Sequence, residues 1–237
     1  MKSHFEQFEE IANSPDSRAF RLRKYRIRTM YWNLRPHLSA ASKRCIDITG
    51  ALCGLILLSP VFLLTAIAIA VSSKGPVIYW QERTGRHGHT FQFPKFRSMR
   101  VHTAAERQAL ESKNQHGKSI TFKLRDDPRI TRVGRWIRKT SIDELPQLWC
   151  VLKGDMSLVG PRPPLVSEVE RYVSKDRSRL SVRPGLTCLW QISGRSDLAF
   201  DEQLRLDQLY IENQSVWLDL KILALTIPAV ISGKGAY

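Results

Sequence analysis

Two adjacent carboxylates, Asp143 and Glu144, sit in the stretch RKTSIDELPQLWCVLKGDMSLVGPRP among cations of the kind that bind phosphate. Arg125, Arg129, Arg135, Arg138 and Lys139 precede them, and Arg162 follows, held between Pro161 and Pro163. The prolines pre-set the backbone there, and a guanidinium fork suits bidentate contact with phosphate. Lys95 and Arg97 in PKFRSM are further candidates. Singly, such cations are more often solvated or lipid-facing charges, and an adjacent acid pair is usually plain surface. Together they suggest chemistry on a phosphate ester. One carboxylate can be the nucleophile that forms an acyl phosphate, while its partner holds Mg2+ or moves a proton. The residues themselves leave open which acid takes which part.

The elements around the pair follow from periodicity and punctuation. Ser141 to Glu144 has the spacing of a capping box, but Pro146 would then fall at the fifth helical position and lose a donor. A helix that starts at Pro146 and closes at Gly154 fits better, with the acids approaching its positive end. Helical period also runs from Ile130 to Lys139. Lys74 to Met99 alternates around a Gly-rich turn and predicts two short strands, with His87 and His89 exposed in the turn for want of a third metal ligand. Arg100 to Gly117 predicts a polar helix and loop, Leu165 to Leu180 an amphipathic helix, RPGLT from Arg183 a turn, and Asp197 to Asn213 a helix. SVWLDLKILALTIPAVI carries Asp219 and Lys221 and is interrupted at Pro228, which suits an interfacial helix.

The chain has 237 residues, a net charge of +15 and a pI near 10.1. Such an excess points to a polyanionic partner: nucleic acid, anionic lipid or a phosphorylated substrate. Four cysteines without a CxxC pair fit a reducing compartment, and the mixed polar start MKSHFEQFEE is no secretory signal. Residues 1–17 read as loosely ordered. From Ile48 to Val71 no side chain is charged, and these 24 residues would span about 36 Å as a straight helix, enough for a hydrocarbon core of ~30 Å. Two features oppose a simple span. Ser59-Pro60 falls at the middle of the run, and both flanks are basic: nine Lys/Arg and no acid from Arg18 to Arg44, six Lys/Arg and only Glu82 from Lys74 to Arg100. Positive charge favours the cytoplasmic side, so a re-entrant helix-break-helix satisfies both flanks where a spanning helix frustrates one. Arg18 to Arg44 itself mixes cations with Phe20, Tyr25, Tyr31 and Trp32, as an interfacial helix does.

The motifs KRCIDITGALCGLILLSP, QERTGRHGHTFQFPKFRSM, DPRITRVGRWIRKTSIDELPQL, LKGDMSLVGPRP, RPGLTCLWQISGR and the ending GAY together resemble the bacterial sugar transferases known as monotopic phosphoglycosyl transferases, over nearly all the chain from Lys43 to Tyr237. The resemblance implies transfer of a sugar-1-phosphate from a UDP-sugar to a polyprenyl phosphate, undecaprenyl phosphate, at the cytoplasmic face of the bacterial inner membrane, as the first step of exopolysaccharide or other surface-glycan assembly. It implies that Asp143 is the nucleophile and becomes a phosphosugar-enzyme intermediate with release of UMP. Glu144 would assist at the same site, with Mg2+ held by the two acids. Ser59-Pro60 would be the break of the re-entrant helix. Arg138 and Arg162 would lie near the phosphates, and Lys95, Arg97, Arg129, Arg183 and Arg195 match basic motif positions. The sugar expected from relatives of this length is galactose or glucose. Departures stand at Cys188, where glycine is more usual, and Cys150, often asparagine, and the additional N-terminal transmembrane bundle of larger relatives is not expected.

The expected fold is therefore α+β, mostly helical: a basic, partly interfacial arm (1–42), a re-entrant membrane helix (43–73) and a small cytoplasmic catalytic domain with interfacial amphipathic helices (74–237). Partners would be the UDP-sugar, the polyprenyl phosphate, anionic lipid and a second copy in a homodimer, with no nucleic acid. Two other functions compete. A glycosyltransferase would move the sugar alone and release UDP. A non-enzymatic membrane-surface or nucleic-acid-binding protein would use the charge, but leaves the DELPQ and GPRP contexts unexplained.

Overall fold

The computed structural model describes residues 40–100, 127–233 and 235. Residues 1–17, most of the expected interfacial segment (18–39), Arg125 and, beyond Arg100, the helix expected over 100–117 lie outside the described residues. The chain divides into Met1–Arg44 and Cys45–Tyr237. All the elements around the acid pair belong to the second unit.

The apolar run forms two helices, α1 (Ala40–Leu57) and α2 (Ser59–Ser72), bent by 58° at the break. Pro60 has no N–H to offer the carbonyl four residues back, at Ile56. The Ser59 hydroxyl donates to that same carbonyl at 2.8 Å, so the break leaves no orphaned acceptor there. Among the described residues no single helix is long and apolar enough to cross a membrane; only the bent pair passes that test, taken together.

Both arms pack on the rest of the unit. Asp47 in α1 is buried and accepts from the Ser157 hydroxyl and the Leu158 N–H, both at 2.9 Å. A Cβ on Gly50 would stand 2.6 Å from Leu158 and one on Gly54 3.0 Å from Leu148, so glycine lets the helix come this close. Ile69 of α2 joins Phe96 and Ile137 in a small core, with the Phe62 ring edge-on to Phe96. The outward faces keep Ile56, Leu57, Leu63, Leu64, Ile67 and Val71 exposed, and a contiguous apolar face of this kind marks a surface for lipid or a partner.

The two predicted strands are present as β1 (Ile78–Thr84) and β2 (Thr90–Phe96), and they pair as an antiparallel hairpin with Tyr79 opposite Lys95 and Gln81 opposite Phe93. His87 and His89 are exposed in the turn between them. Helix α3 (Arg132–Lys139) starts where Thr131 caps it by accepting from the Gly134 N–H at 2.8 Å.

The acid turn differs from expectation. The helical path begins before Pro146, as a 3-10 helix over Ile142–Gln147, and becomes α-helical only in α4 (Leu148–Lys153), which Gly154 closes with φ 99°. A continuous α-helix would lose a rung and clash at Pro146, so the chain takes the tighter turn first. Ser141 precedes it in the left-handed region (φ 56°) and makes no side-chain cap. The capping box is absent, and Asp143 and Glu144 lie in the first turn itself.

Three further expectations are corrected. RPGLT is no simple turn: β4 (Gly185–Thr187) pairs in parallel with β3 (Ser157–Val159). The helix expected over 165–180 is two pieces, α5 (Val166–Val169) and a 3-10 helix over Ser174–Leu180, because Glu168 and Asp176 accept from the backbone N–H of Leu165 and Val173 and restart the chain twice. After α6 (Leu189–Ser193) and α7 (Phe200–Glu212), α8 (Val216–Ser232) runs on through Pro228. One stripe of α8 is buried, where Asp219 meets the Tyr210 hydroxyl at 2.8 Å, while Trp217, Ile227 and Ile231 stay exposed. The main core joins α1, β2, α4, β3, α7 and α8 through Ala51, Phe93, Val151, Met156, Val159, Tyr210 and Ile222. Among the described residues the result is a mostly helical α+β unit with two small sheets.

Candidate active site

Strand β2 and the acid turn face one another, and Lys95 reaches from the strand to Glu144: its Nζ lies 3.1 Å from Oε1. Arg162 arrives at the same oxygen from the loop after β3, with Nη2 at 2.5 Å. The prolines on either side of Arg162 are fully buried, which fixes the backbone that carries the guanidinium. Glu144 thus carries two cations. Asp143, one residue earlier and also buried, makes no hydrogen bond or ion pair among the described residues.

That asymmetry separates the two acids electrostatically. Burial pushes the Asp143 carboxyl up to about 6, the Glu144 charge adds to the rise, and Lys95, Arg138 and Arg162 pull only part of it back. Burial works on Glu144 in the same direction, but Arg162 and Lys95 outweigh it and hold that carboxyl well below the usual range. Burial lowers the Lys95 ammonium to about 8 against the pull of Glu144. Arg162 is buried too, yet Glu144 makes it hold its proton more tightly than usual.

Of the cations named from the sequence, Arg135 and Lys139 are exposed on α3, and the seven expected near the phosphates or at basic motif positions divide into two groups. Lys95, Arg138, Arg162 and Arg195 act on the acid pair. Arg195 has φ 54°, an uncommon backbone for arginine, in the turn after α6. Arg97, Arg129 and Arg183 are placed otherwise. The Arg97 fork donates to the Ser73 and Lys74 carbonyls at 2.7 and 3.0 Å, and so ties the end of α2 to β2. Arg129 is in a buried pair with Asp127 at 2.6 Å. Arg183 is exposed ahead of β4. Cys150 and Cys188 are buried thiols, the former pushed up to about 11 by burial.

Sequence reasoning did not single out Arg83, Arg179 or Asp207. Arg83 donates to the Pro163 carbonyl at 3.0 Å, and Arg179 pairs with Asp207 at 2.6 Å behind Arg162. The only local signal was Gln81 two residues before Arg83, on the same face of a strand.

Among the described residues no group of three or more His, Cys, Asp or Glu gathers into a metal cage. Mg2+ is characteristically held by one or two carboxylates and completed by substrate phosphates and water. The acid pair has the donor chemistry for such a shared site.

A family model described as bacterial sugar transferase matches residues 38–233. The chain belongs to the bacterial sugar transferase family. Relatives of this sugar transferase include the galactosyl transferase CpsE of Streptococcus agalactiae, 52% identical over 203 residues that make up 84% of this chain and 44% of the relative. The undecaprenyl-phosphate galactose phosphotransferase of Salmonella typhimurium is 43% identical over 208 residues, 86% of this chain and 44% of the relative. The exopolysaccharide production protein ExoY of Rhizobium meliloti is 41% identical over 207 residues, 86% of this chain and 91% of that protein. The chain therefore spans less than half the length of the first two and nearly all of the third.

Proposed function

We propose that this sugar transferase moves hexose-1-phosphate from a UDP-sugar to undecaprenyl phosphate through a covalent intermediate on Asp143, and so initiates exopolysaccharide or other surface-glycan synthesis. The observation that carries this reading is the split within the acid pair: Glu144 is clamped by Lys95 and Arg162, while Asp143 is buried beside it without a partner among the described residues. An unpaired, partly desolvated carboxylate among phosphate-binding cations is poised as a nucleophile.

In the first half-reaction an Asp143 carboxylate oxygen attacks the phosphorus that bears the sugar. The O–P bond to the aspartate forms as the phosphoanhydride bond breaks, and UMP leaves with the electron pair on its phosphate oxygen. In the second, a phosphate oxygen of the polyprenyl carrier attacks the same phosphorus, the acyl phosphate bond breaks, and the carboxylate is restored. Arg162, Lys95, Arg138 and Arg195 offset charge on the phosphates, and Glu144 keeps the first two aimed. Asp143 and Glu144 would hold Mg2+, which would supply further charge neutralisation when bound. A covalent step lets the nucleotide depart before the lipid enters, so one small pocket serves both substrates.

The membrane reading rests on the 58° bend, the exposed apolar faces of α1 and α2, the basic flanks and the exposed Trp136, Trp149 and Trp217. We place α1–α2 as a re-entrant pair in the inner membrane with the acid turn at headgroup depth on the cytoplasmic side. Cysteine introduced near residue 20 is expected to label in sealed vesicles only from the side that carries the acid pair; labelling from the opposite side would turn α1–α2 into a kinked span.

The deciding assay is the nucleotide released from UDP-hexose by purified protein with Mg2+ and undecaprenyl phosphate. UMP is the expected product, with UDP-galactose or UDP-glucose as donor, the sugars named in relatives such as the undecaprenyl-phosphate glucose phosphotransferase of Komagataeibacter xylinus. UDP as the product would mean that the sugar moves without its phosphate, and Asp143 would lose its role.

A further inference from the structure

We infer that Arg83 is a positioning residue for Arg162: it fastens the Pro161–Pro163 turn so that the Arg162 fork stays on Glu144 and on an incoming phosphate. The inference rests on the reading of the acid pair proposed above, and it concerns a residue that touches neither acid.

Arg83 stands near the end of β1, where its guanidinium joins three features. Nη1 donates to the Pro163 carbonyl at 3.0 Å, and Nε and Nη2 converge on the Gln81 Oε1 at 3.1 and 2.8 Å. The group lies 5.3 Å from the centre of the buried Phe93 ring, which Lys95 also approaches at 5.3 Å. The backbone repeats the fastening. Thr84 N–H donates to the Pro164 carbonyl at 2.9 Å, and Arg83 bridges to Leu165 in antiparallel fashion. The end of β1 is therefore zipped onto the chain immediately after Arg162.

A second guanidinium braces the other side. Arg179 donates to the Arg162 carbonyl at 3.4 Å and to the Tyr172 hydroxyl at 3.0 Å, and pairs with Asp207. Two consecutive carbonyls, of Arg162 and Pro163, are thus each held by a guanidinium from a different element. The two braces differ in one respect. Arg179 has a carboxylate, whereas among the described residues the hydrogen-bond partners of Arg83 are all neutral oxygens. Burial, reinforced by the Arg162 charge, lowers Arg83 to about 10, with Glu168 and Glu144 opposing. A cation kept in such a place is unfavourable for stability alone. Its planar fork does what a lysine cannot, reaching Gln81 and Pro163 at once from a fixed plane.

The test is a double-mutant cycle on the full chain in detergent or nanodiscs: Arg83→Gln and Arg83→Lys, each in the wild-type and in an Arg162→Ala background. In the wild-type background each Arg83 variant is expected to lower kcat/KM for UMP release by roughly 10- to 100-fold, the scale of a misplaced binding group. In the Arg162→Ala background the same changes should matter less than about twofold, because the group they position is gone. Equal losses in both backgrounds, or no loss in the wild-type one, would overturn the inference. Should Arg83→Gln fail to melt cooperatively, Arg83→Lys carries the cycle, since it keeps the charge and the aliphatic stem. The cycle is read in parallel on affinity for UDP. A wild-type chain that releases no UMP then defeats the phosphotransfer reading, while coupling or its lack in UDP binding still decides the role of Arg83.

Discussion

Asp143→Asn is expected to abolish UMP release, by at least about 10³-fold, and at the same time to raise the thermal midpoint of the protein. The first half follows from the chemistry: an amide cannot form the acyl phosphate, and Glu144 cannot substitute because Lys95 and Arg162 already hold it. The second follows from burial. In the folded chain the Asp143 carboxyl is pushed up to about 6, first by desolvation and then by Glu144. A raised carboxyl means that the folded state binds the proton more tightly than the unfolded one. Its contribution is therefore neutral at low pH, turns unfavourable as pH rises through the ordinary aspartate range toward 6, and stays fully unfavourable above that. Asparagine keeps the shape and removes the charge, so at pH 7.5 the gain is on the order of 1–3 kcal/mol, or a few degrees in Tm. Thermal melts of both proteins in metal-free buffer from pH 7.5 to 5 check the sign. The variant's advantage should shrink as pH falls through 6. An advantage that grew on acidification, or a less stable variant at pH 7.5, would show that Asp143 is held by favourable contacts and is not a desolvated, unpaired carboxylate.

Arg162→Ala carries the next largest effect. Among the described residues it leaves Glu144 with Lys95 alone, and it removes the fork proposed to face the phosphates, so kcat/KM should fall by roughly 10²- to 10³-fold. Arg162→Lys should recover little, because a point charge replaces a planar pair of donors and Lys95 already supplies a point charge. The cost in stability is about 1–3 kcal/mol, below that of a wholly dry pair because the Arg162 and Glu144 side chains remain 23% and 16% exposed. Kinetics and melts on the same preparations separate the two. A variant whose activity fell only in proportion to its folded fraction would make Arg162 a structural residue. The converse change, Glu144→Gln, leaves two cations without their shared anion, and Lys95 should then lose its proton below its present value of about 8.

Sequence alone was informative wherever the controlling groups are neighbours along the chain. The adjacent acids, the Ser59-Pro60 break with its hydroxyl supplied one residue before the missing donor, the hairpin between Lys74 and Met99, and Gly154 at a helix end are all local. The mostly helical α+β class and the family follow from such segments taken in order. Where local groups compete, the outcome was less legible. Pro146 suggested a helix start, yet the chain began turning four residues earlier in 3-10 form, and Glu168 and Asp176 broke one expected helix into two. Strands β3 and β4 are three residues each and pair across the chain, too short to show a period.

The division of labour among the cations belongs to the tertiary structure. Composition treats Lys95, Arg97, Arg129 and Arg162 alike. Yet Arg97 closes the end of α2 and Arg129 pairs with Asp127, while Lys95 and Arg162 meet on Glu144 across separations of 49 and 18 residues. Arg83 reaches Pro163 over 80 residues. A side chain's type sets what it can bind, and that is written in the sequence. Which partner it meets, and how dry the meeting place is, depends on elements packed from distant parts of the chain, and those two quantities are what divide Asp143 from Glu144.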